Sequence, residues 1–182
     1  PKVFGLPIAT CNHLTLNSGA SITIEAAGDL TVNGNFVNDG NSIVETNGKI
    51  NIIGNLSNNA IGIFEIELDG EMQINGDFTN DGNSIIGAGN VKLQGTNTQT
   101  FSGLSNIEIG KLITAGSANG IALSMESDIH VLSELNLQNN TGKIDLNNHI
   151  LTLGEIGNNG VLTGGGASNY IISQTGASQF IR

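Results

Sequence analysis

Three segments of this chain are versions of one another: LTVNGNFVNDGNSI from Leu30, INIIGNLSNNAIGI from Ile50 and MQINGDFTNDGNSI from Met72. All read apolar-x-apolar-x-Gly-[Asn/Asp]-[Phe/Leu]-x-Asn-[Asp/Asn]. The leading triplet recurs as Leu14/Leu16, Leu30/Val32, Ile50/Ile52, Met72/Ile74, Val91/Leu93, Ile107/Ile109, Ile129/Val131 and Leu151/Leu153. Successive triplets lie 16, 20, 22, 19, 16, 22 and 22 residues apart. Neighbouring side chains of a strand point to opposite faces, so the first and third residues of a triplet point inward together. A period near 20 carrying such strands predicts a solenoid of stacked parallel strands. A leucine-rich repeat has a similar period, but its Leu/Asn pattern and helical stretches are absent. The expectation is an all-β, single-stranded parallel β-helix (β-solenoid) of about eight coils of ~20 residues. At ~4.8 Å per coil that is a rod about 40 Å long.

Composition fits this reading. Gly and Asn each number 26 of 182 residues, and both Pro lie within the first seven. Gly and Asn supply corners, where left-handed backbone is needed. Pro removes a ladder hydrogen bond from any strand paired on both sides. Ile22/Ile24, Ile43, Ile63, Ile85, Ile121/Leu123 and Ile144/Leu146 predict second and third apolar columns. Phe36, Leu56 and Phe78 share one repeat position and predict an inward stack. Asn38, Asn58 and Asn80 share another and predict stacked amides bonded to the backbone of the coils above and below. The stretch 95–120 is less regular and reads as an insertion loop.

Formal net charge is −10, Lys49, Lys92, Lys111 and Lys143 are scattered singly, and the one Arg is at position 182. Phosphate recognition takes clustered cations. Neither nucleic acid nor an anionic membrane is expected as a partner, and no apolar stretch is long enough to span a bilayer as a helix. The chain starts at Pro1 rather than Met and reads as a processed or excised piece. Cys11 has no second cysteine to bridge and is expected to be a buried, inert thiol.

The pieces CNHLTLNSGASITI, LTVNGNFVNDGNSI, GKIDLNNHILTLG and LTGGGASNYIISQTGASQFIR together resemble the Asn/Gly-rich parallel β-repeat regions of large secreted proteins of Bacteroidetes-type bacteria. Such proteins often end in a sorting domain for type IX secretion. The resemblance covers nearly the whole chain. It implies right-handed coiling, a secreted or cell-surface location, and no catalytic residues. No sorting domain is recognisable here. The ending, 164–182, resembles one that leads into further modules, which implies a fragment.

Parallel β-helices often act on polysaccharides, and the residues such chemistry needs can be compared with those present. A site resembling that of a pectate lyase would set calcium-binding carboxylates beside an Arg or Lys base, and the lone Arg sits at the last residue. A polygalacturonase-like site needs Asp residues converging on one face, one to donate a proton and one to activate water. Asp39 and Asp81 share a repeat position with Asn59 between them, which places them two coils apart, roughly 9–10 Å. Both lie in Asn-Asp-Gly-Asn turns. The repeated Asp-Gly-Asn-Ser turns, 39–42 and 81–84, offer one carboxylate each, where calcium wants six to eight oxygen ligands. His13, His130 and His149 show no local metal-ligand spacing. Gly164-Gly165-Gly166 is a loop without a following helix or Lys. No cofactor, metal site or catalytic set is expected.

For an ice-binding face, the middle residues of the triplets would have to form a regular Thr array. They run Thr15, Thr31, Asn51, Gln73, Lys92, Glu108, His130 and Thr152, which fits an ordinary solvated sheet with a Lys92–Glu108 cross-rung pair. Residues 1–13 are expected to form an N-terminal cap over a single solenoid domain, 14–182. Apolar Phe4, Leu6 and Ile8 would fold over the first coil, with Pro7 blocking further pairing. Tyr170-Ile171-Ile172 and Phe180-Ile181 should leave the C-terminal coil sticky, packing against a following module or another copy end to end. The expected function is that of a non-enzymatic structural or adhesive segment, a stalk or spacer, with at most weak glycan or cell-surface contact. The alternatives are a polysaccharide-binding or polysaccharide-cleaving β-helix and, behind it, an ice-binding protein.

Overall fold

The computed structural model describes residues 2–3, 8–115, 120–138, 142–173 and 176–182. Among them every regular element is a strand and none is a helix, so no helix there could cross a membrane. The ladders are parallel and stack as a β-solenoid.

Each coil lays one strand on each of three faces. Face one stacks Ala9–Cys11, Asp29–Val32, Lys49–Ile52 and Glu71–Ile74, then residues 90–93, 111–114 and 134–137, then Val161–Thr163. Face two is an eight-stranded sheet from Leu14–Leu16 through Phe36–Asn38, Leu56–Asn58, Phe78–Asn80, Gln99–Ser102, Ile121–Glu126 and Lys143–Asp145 to Ile171–Ile172. Face three stacks Ser21–Ile24, Asn41–Val44 and Ile63–Ile66, then residues 83–86, 107–109 and 129–131, then Ile150–Leu153 and Gln179–Ile181. The long strands Asn83–Leu93, Ile107–Thr114 and Ile129–Leu137 run from face three onto face one, joining the two into a fourteen-stranded sheet.

The repeated triplet therefore does not form one column. Leu14/Leu16 lies on face two, the triplets from Leu30 to Leu93 on face one, and those from Ile107 to Leu153 on face three. The two 16-residue spacings mark these changes of face. All three strands of a coil share one apolar-x-apolar pattern, so the triplet itself carries no face label. The Lys92–Glu108 pair falls with this correction: Lys92 aligns with Gln73 and Ile113, Glu108 with His130. Residues 95–120 are likewise not a loop throughout, because Gln99–Ser102 and Ile107–Thr114 are rungs in register. Residues 116–119 lie outside the described residues.

Side chains inside the three faces form one continuous core from Leu16 to Leu153. About six turns close around it, fewer than the eight expected. The eight-stranded sheet adds a rung at each end, where Leu14 and Ile171 are only partly buried. Phe36, Leu56 and Phe78 stack inward as expected, and Phe101 continues the column. All four are fully buried. Ile43 and Ile63 are not core. In face three the inward positions belong to Ser42/Val44 and Phe64/Ile66, so the isoleucines face outward. The buried hydroxyl of Ser42 has no partner among the described residues.

The corners explain the polar part of the repeat. Gly54 and Gly76 open the corner between faces one and two. A Cβ on Gly76 would lie 2.3 Å from Asn55 Oδ1 and 2.4 Å from the Gly54 carbonyl oxygen. Glycine there lets the preceding coil's Asn side chain tuck beneath the chain. At the corner between faces three and one, Ala27, Asn47 and Asp69 occupy one repeat position with φ of 61°, 62° and 61°. Left-handed backbone costs Ala about 1 kcal/mol, whereas Asn and Asp tolerate it. Ala27→Asn is therefore expected to stabilise the fold by about 0.5–1 kcal/mol, a rise of about 2 °C in unfolding midpoint for a chain of this size. A calorimetric scan showing no rise would contradict this.

Of the expected cap, Phe4, Leu6 and Pro7 lie outside the described residues. Lys2–Val3 and Ala9–Cys11 pair in parallel with Ser21–Ile24 and Asp29–Val32, as rungs of faces three and one.

Candidate functional site

The residues that could carry chemistry are tied to neighbouring coils. On face two an outward row runs His13, Asn35, Asn55, Asp77 and Thr100. Each side chain accepts the backbone N–H of the next residue in the row: Asn35 to His13 Nδ1 at 3.0 Å, Asn55 to Asn35 Oδ1 at 3.0 Å, Asp77 to Asn55 Oδ1 at 2.9 Å and Thr100 to Asp77 Oδ1 at 2.7 Å. The N–H groups of Asn35, Asn55 and Asp77 sit at corners, just before their strands, and that of Thr100 belongs to the second residue of its strand. The side chain of one coil caps the next.

Inside the same face the amides stack as expected, but they bond chiefly to one another rather than to the backbone of the coils above and below. Asn38, Asn58 and Asn80 are buried. Asn38 Nδ2 donates to Asn58 Oδ1 at 2.8 Å and Asn58 Nδ2 to Asn80 Oδ1 at 2.9 Å. The ends of the stack reach the backbone, with Asn38 donating to the Ile63 carbonyl and Asn80 to the Asn106 carbonyl. Unpaired, each buried amide would cost about 1–3 kcal/mol; paired, they lock the register of three coils.

Asp39 and Asp81 do not converge on a reaction centre. Asp39 Oδ1 accepts from Asn59 Nδ2 at 2.9 Å, and Asp81 Oδ1 from the Leu104 N–H at 3.0 Å. The intervening Asn59 is bonded into the row rather than leaving room for water between two carboxyl groups. No group of three metal-ligating side chains occurs among the described residues. Cys11 is half-buried, and burial pushes its thiol pKa up, so it is a poor nucleophile.

The structure gathers further groups around an outward column, Glu108, His130 and Thr152, that the sequence reading already set out. Asn106, Glu108, Asp128, His130, Ile150, Thr152 and Ile181 line an open groove of about 340 Å³ on face three. A neighbouring hollow adds Glu126 and His149. Glu108, His130 and Thr152 stand in one outward row. His130 Nδ1 lies 3.6 Å from Glu108 Oε2, and His149 Nδ1 lies 3.4 Å from Asp128 Oδ1. Carboxylate, imidazole and hydroxyl in a row suggest a nucleophile relay, but the geometry does not complete one. His130 Nε2 sits 2.7 Å from the Gly154 carbonyl oxygen. A carbonyl only accepts, so Nε2 carries a proton, and Nδ1 faces Glu108. Neither nitrogen is placed to take the Thr152 proton. Asp128 is also engaged, accepting the Ile150 N–H at 2.9 Å. The sequence signal for this gathering was the spacing of Glu108, His130 and Thr152, which already put them on successive coils.

Face one carries ion pairs. Lys49 Nζ lies 3.6 Å from Glu71 Oε1 and Lys111 Nζ lies 2.6 Å from Glu134 Oε2. The hydrogen bond from Lys111 holds the Glu134 carboxyl below the usual carboxylate range. Partial burial opposes the shift, and bonds from Thr163 and Asn136 add to it. Compared with family models, with curated proteins and with solved structures, the chain finds no match.

Proposed function

We propose that this chain is a structural segment, a stiff spacer or stalk, of an extracellular or cell-surface bacterial protein, and that it is not an enzyme. One observation carries the reading: polar side chains that could do chemistry are spent holding one coil to the next. His13, Asn35, Asn55 and Asp77 cap backbone N–H groups, Asn38, Asn58 and Asn80 bond to each other, and Asp39 and Asp81 tie down their neighbours. A solenoid bonded in this way from His13 to Leu104 resists bending and shear over those coils, which suits a part whose task is to hold two other parts apart. The secreted or surface location rests on the Asn/Gly-rich resemblance.

The open groove around Glu108, Asp128 and His130 favours one rival, a polysaccharide-binding or polysaccharide-cleaving solenoid. A glycan array and a reducing-sugar assay on acidic polysaccharides separate the two. The spacer reading expects no turnover and no saturable binding. Turnover that is lost on Asp39→Ala, Asp81→Ala or Asp128→Ala would overturn it.

A further inference from the structure

Face one carries a row of outward side chains, one per coil: Asp29, Lys49, Glu71, Asn90, Lys111 and Glu134. The register shifts in these ladders fall outside this face. From Lys49 to Glu134 the signs run plus, minus, neutral, plus, minus. Read backwards they run minus, plus, neutral, minus, plus, so the row is the charge complement of its own reverse. A second copy laid antiparallel on this face, with a two-fold axis along the strand direction at Asn90, sets Lys49 over Glu134 of that copy. Glu71 then lies over its Lys111, and Asn90 over Asn90.

We propose that face one is a two-fold, antiparallel interface between two copies of this chain. The proposal is independent of the spacer reading. Self-complementarity is what an isologous contact requires. Net charge argues for the same face. The chain carries −10, yet Lys49, Lys92 and Lys111, half of its six cations, stand on face one against Asp29, Glu71 and Glu134. Two copies of an acidic chain approach at least cost on the face without net charge. Seven rungs, from Asp29–Val32 to Val161–Thr163, overlap across this axis, and at ~4.8 Å each by a strand width of ~13 Å they give about 900 Å² buried in total. That is the low end for a specific interface, so the dimer is weak and reversible. Two residues oppose it: Lys92, on the central rung beside Asn90, faces Lys92 of the other copy, and Asp29 falls over the apolar Val161 at each end.

Sedimentation equilibrium of the full chain tests this. Dimers are expected at about 0.15 M salt and monomers at about 1 M, where contact charges are screened. The decisive variant is Lys49→Glu with Glu71→Lys. It inverts the pair but keeps it within the chain; the anion at position 49 then faces Asp29 on the adjacent rung, so the unfolding midpoint falls by no more than about 2–4 °C. Between copies it sets like charges over each other and weakens association at least tenfold. Adding Lys111→Glu and Glu134→Lys restores self-complementarity. That quadruple variant dimerises but does not mix with the unaltered chain. Lys92→Gln tightens the dimer. If the double variant folds poorly, Asn90→Lys, which sets two cations on the axis, replaces it with the same expected loss. A chain monomeric at 0.15 M salt up to millimolar concentration overturns the proposal. So does association that the double variant leaves intact, which would place the contact elsewhere, as at the coil ends.

Discussion

Phe78→Ala is expected to destabilise the fold by about 3–5 kcal/mol, the cost of emptying a fully packed aromatic site. Phe78 is fully buried, stacked between Leu56 and Phe101, and meets the Phe101 ring edge-on with centroids 5.3 Å apart. Its coil lies in the middle of the stack, so both neighbours lose a packing surface. In a solenoid, stability is roughly a sum of coil terms and coil-to-coil terms, and a central defect weakens two of the latter. Urea denaturation should show the midpoint falling sharply. Val37→Ala, on the outward side of the same face, should stay within about 0.5 kcal/mol. Equal effects from the two variants would mean that the inward column is misassigned.

Asn58→Asp should cost about 3–5 kcal/mol at neutral pH, although the side chain hardly changes size. Asn58 accepts from Asn38 and donates to Asn80 Oδ1 at 2.9 Å. An ionised Asp has nothing to donate, so two acceptors would confront each other in a buried site. Protonated, it regains a donor. Burial and the facing acceptor therefore raise the variant's folded pKa above the unfolded value of about 3.9. The stabilising protonated state is fully present below that unfolded pKa and is lost as pH rises through the folded one. The gap between variant and unaltered chain should accordingly be small near pH 3–4, widen as pH rises, and level off once the folded site is ionised. A gap that is independent of pH would mean that the amide stack does not carry this register.

The fold class was legible because alternation and period are local properties. Leu30-Thr31-Val32 shows in three residues which side chains share a face, and its return after 20 residues shows stacking. Which of three faces a triplet occupies is not local. Leu93 and Ile107 belong to different faces although their triplets look alike, so Lys92 and Glu108 were paired in error. Ile43 and Ile63 misled for a related reason. In Asn-Ser-Ile-Val the inward positions are Ser42 and Val44, and a buried Ser is a choice that hydrophobicity does not favour. The Asn stack was legible because three Asn recur beside conserved spacing within the repeat. The outer row was not, because its members are chemically mixed: His13, Asn35, Asn55 and Asp77 share an acceptor atom rather than a residue type. The groove around His130 depends on register between coils, which the sequence supplied only in part.

Native-state amide hydrogen exchange tests the central claim, that corner side chains bond coil to coil. The N–H groups of Asn35, Asn55, Asp77 and Thr100 lie at or beside corners and are bonded to side chains rather than to the backbone ladder. An ordinary solvated corner would exchange within the range of mobile loops. In this solenoid the amides of Asn55, Asp77 and Thr100 should be protected almost as strongly as those of the flanking strands, and Asn35→Ala should release Asn55 selectively. Fast exchange at Asn55, Asp77 and Thr100 in the unaltered chain, with the strands protected, would contradict the account.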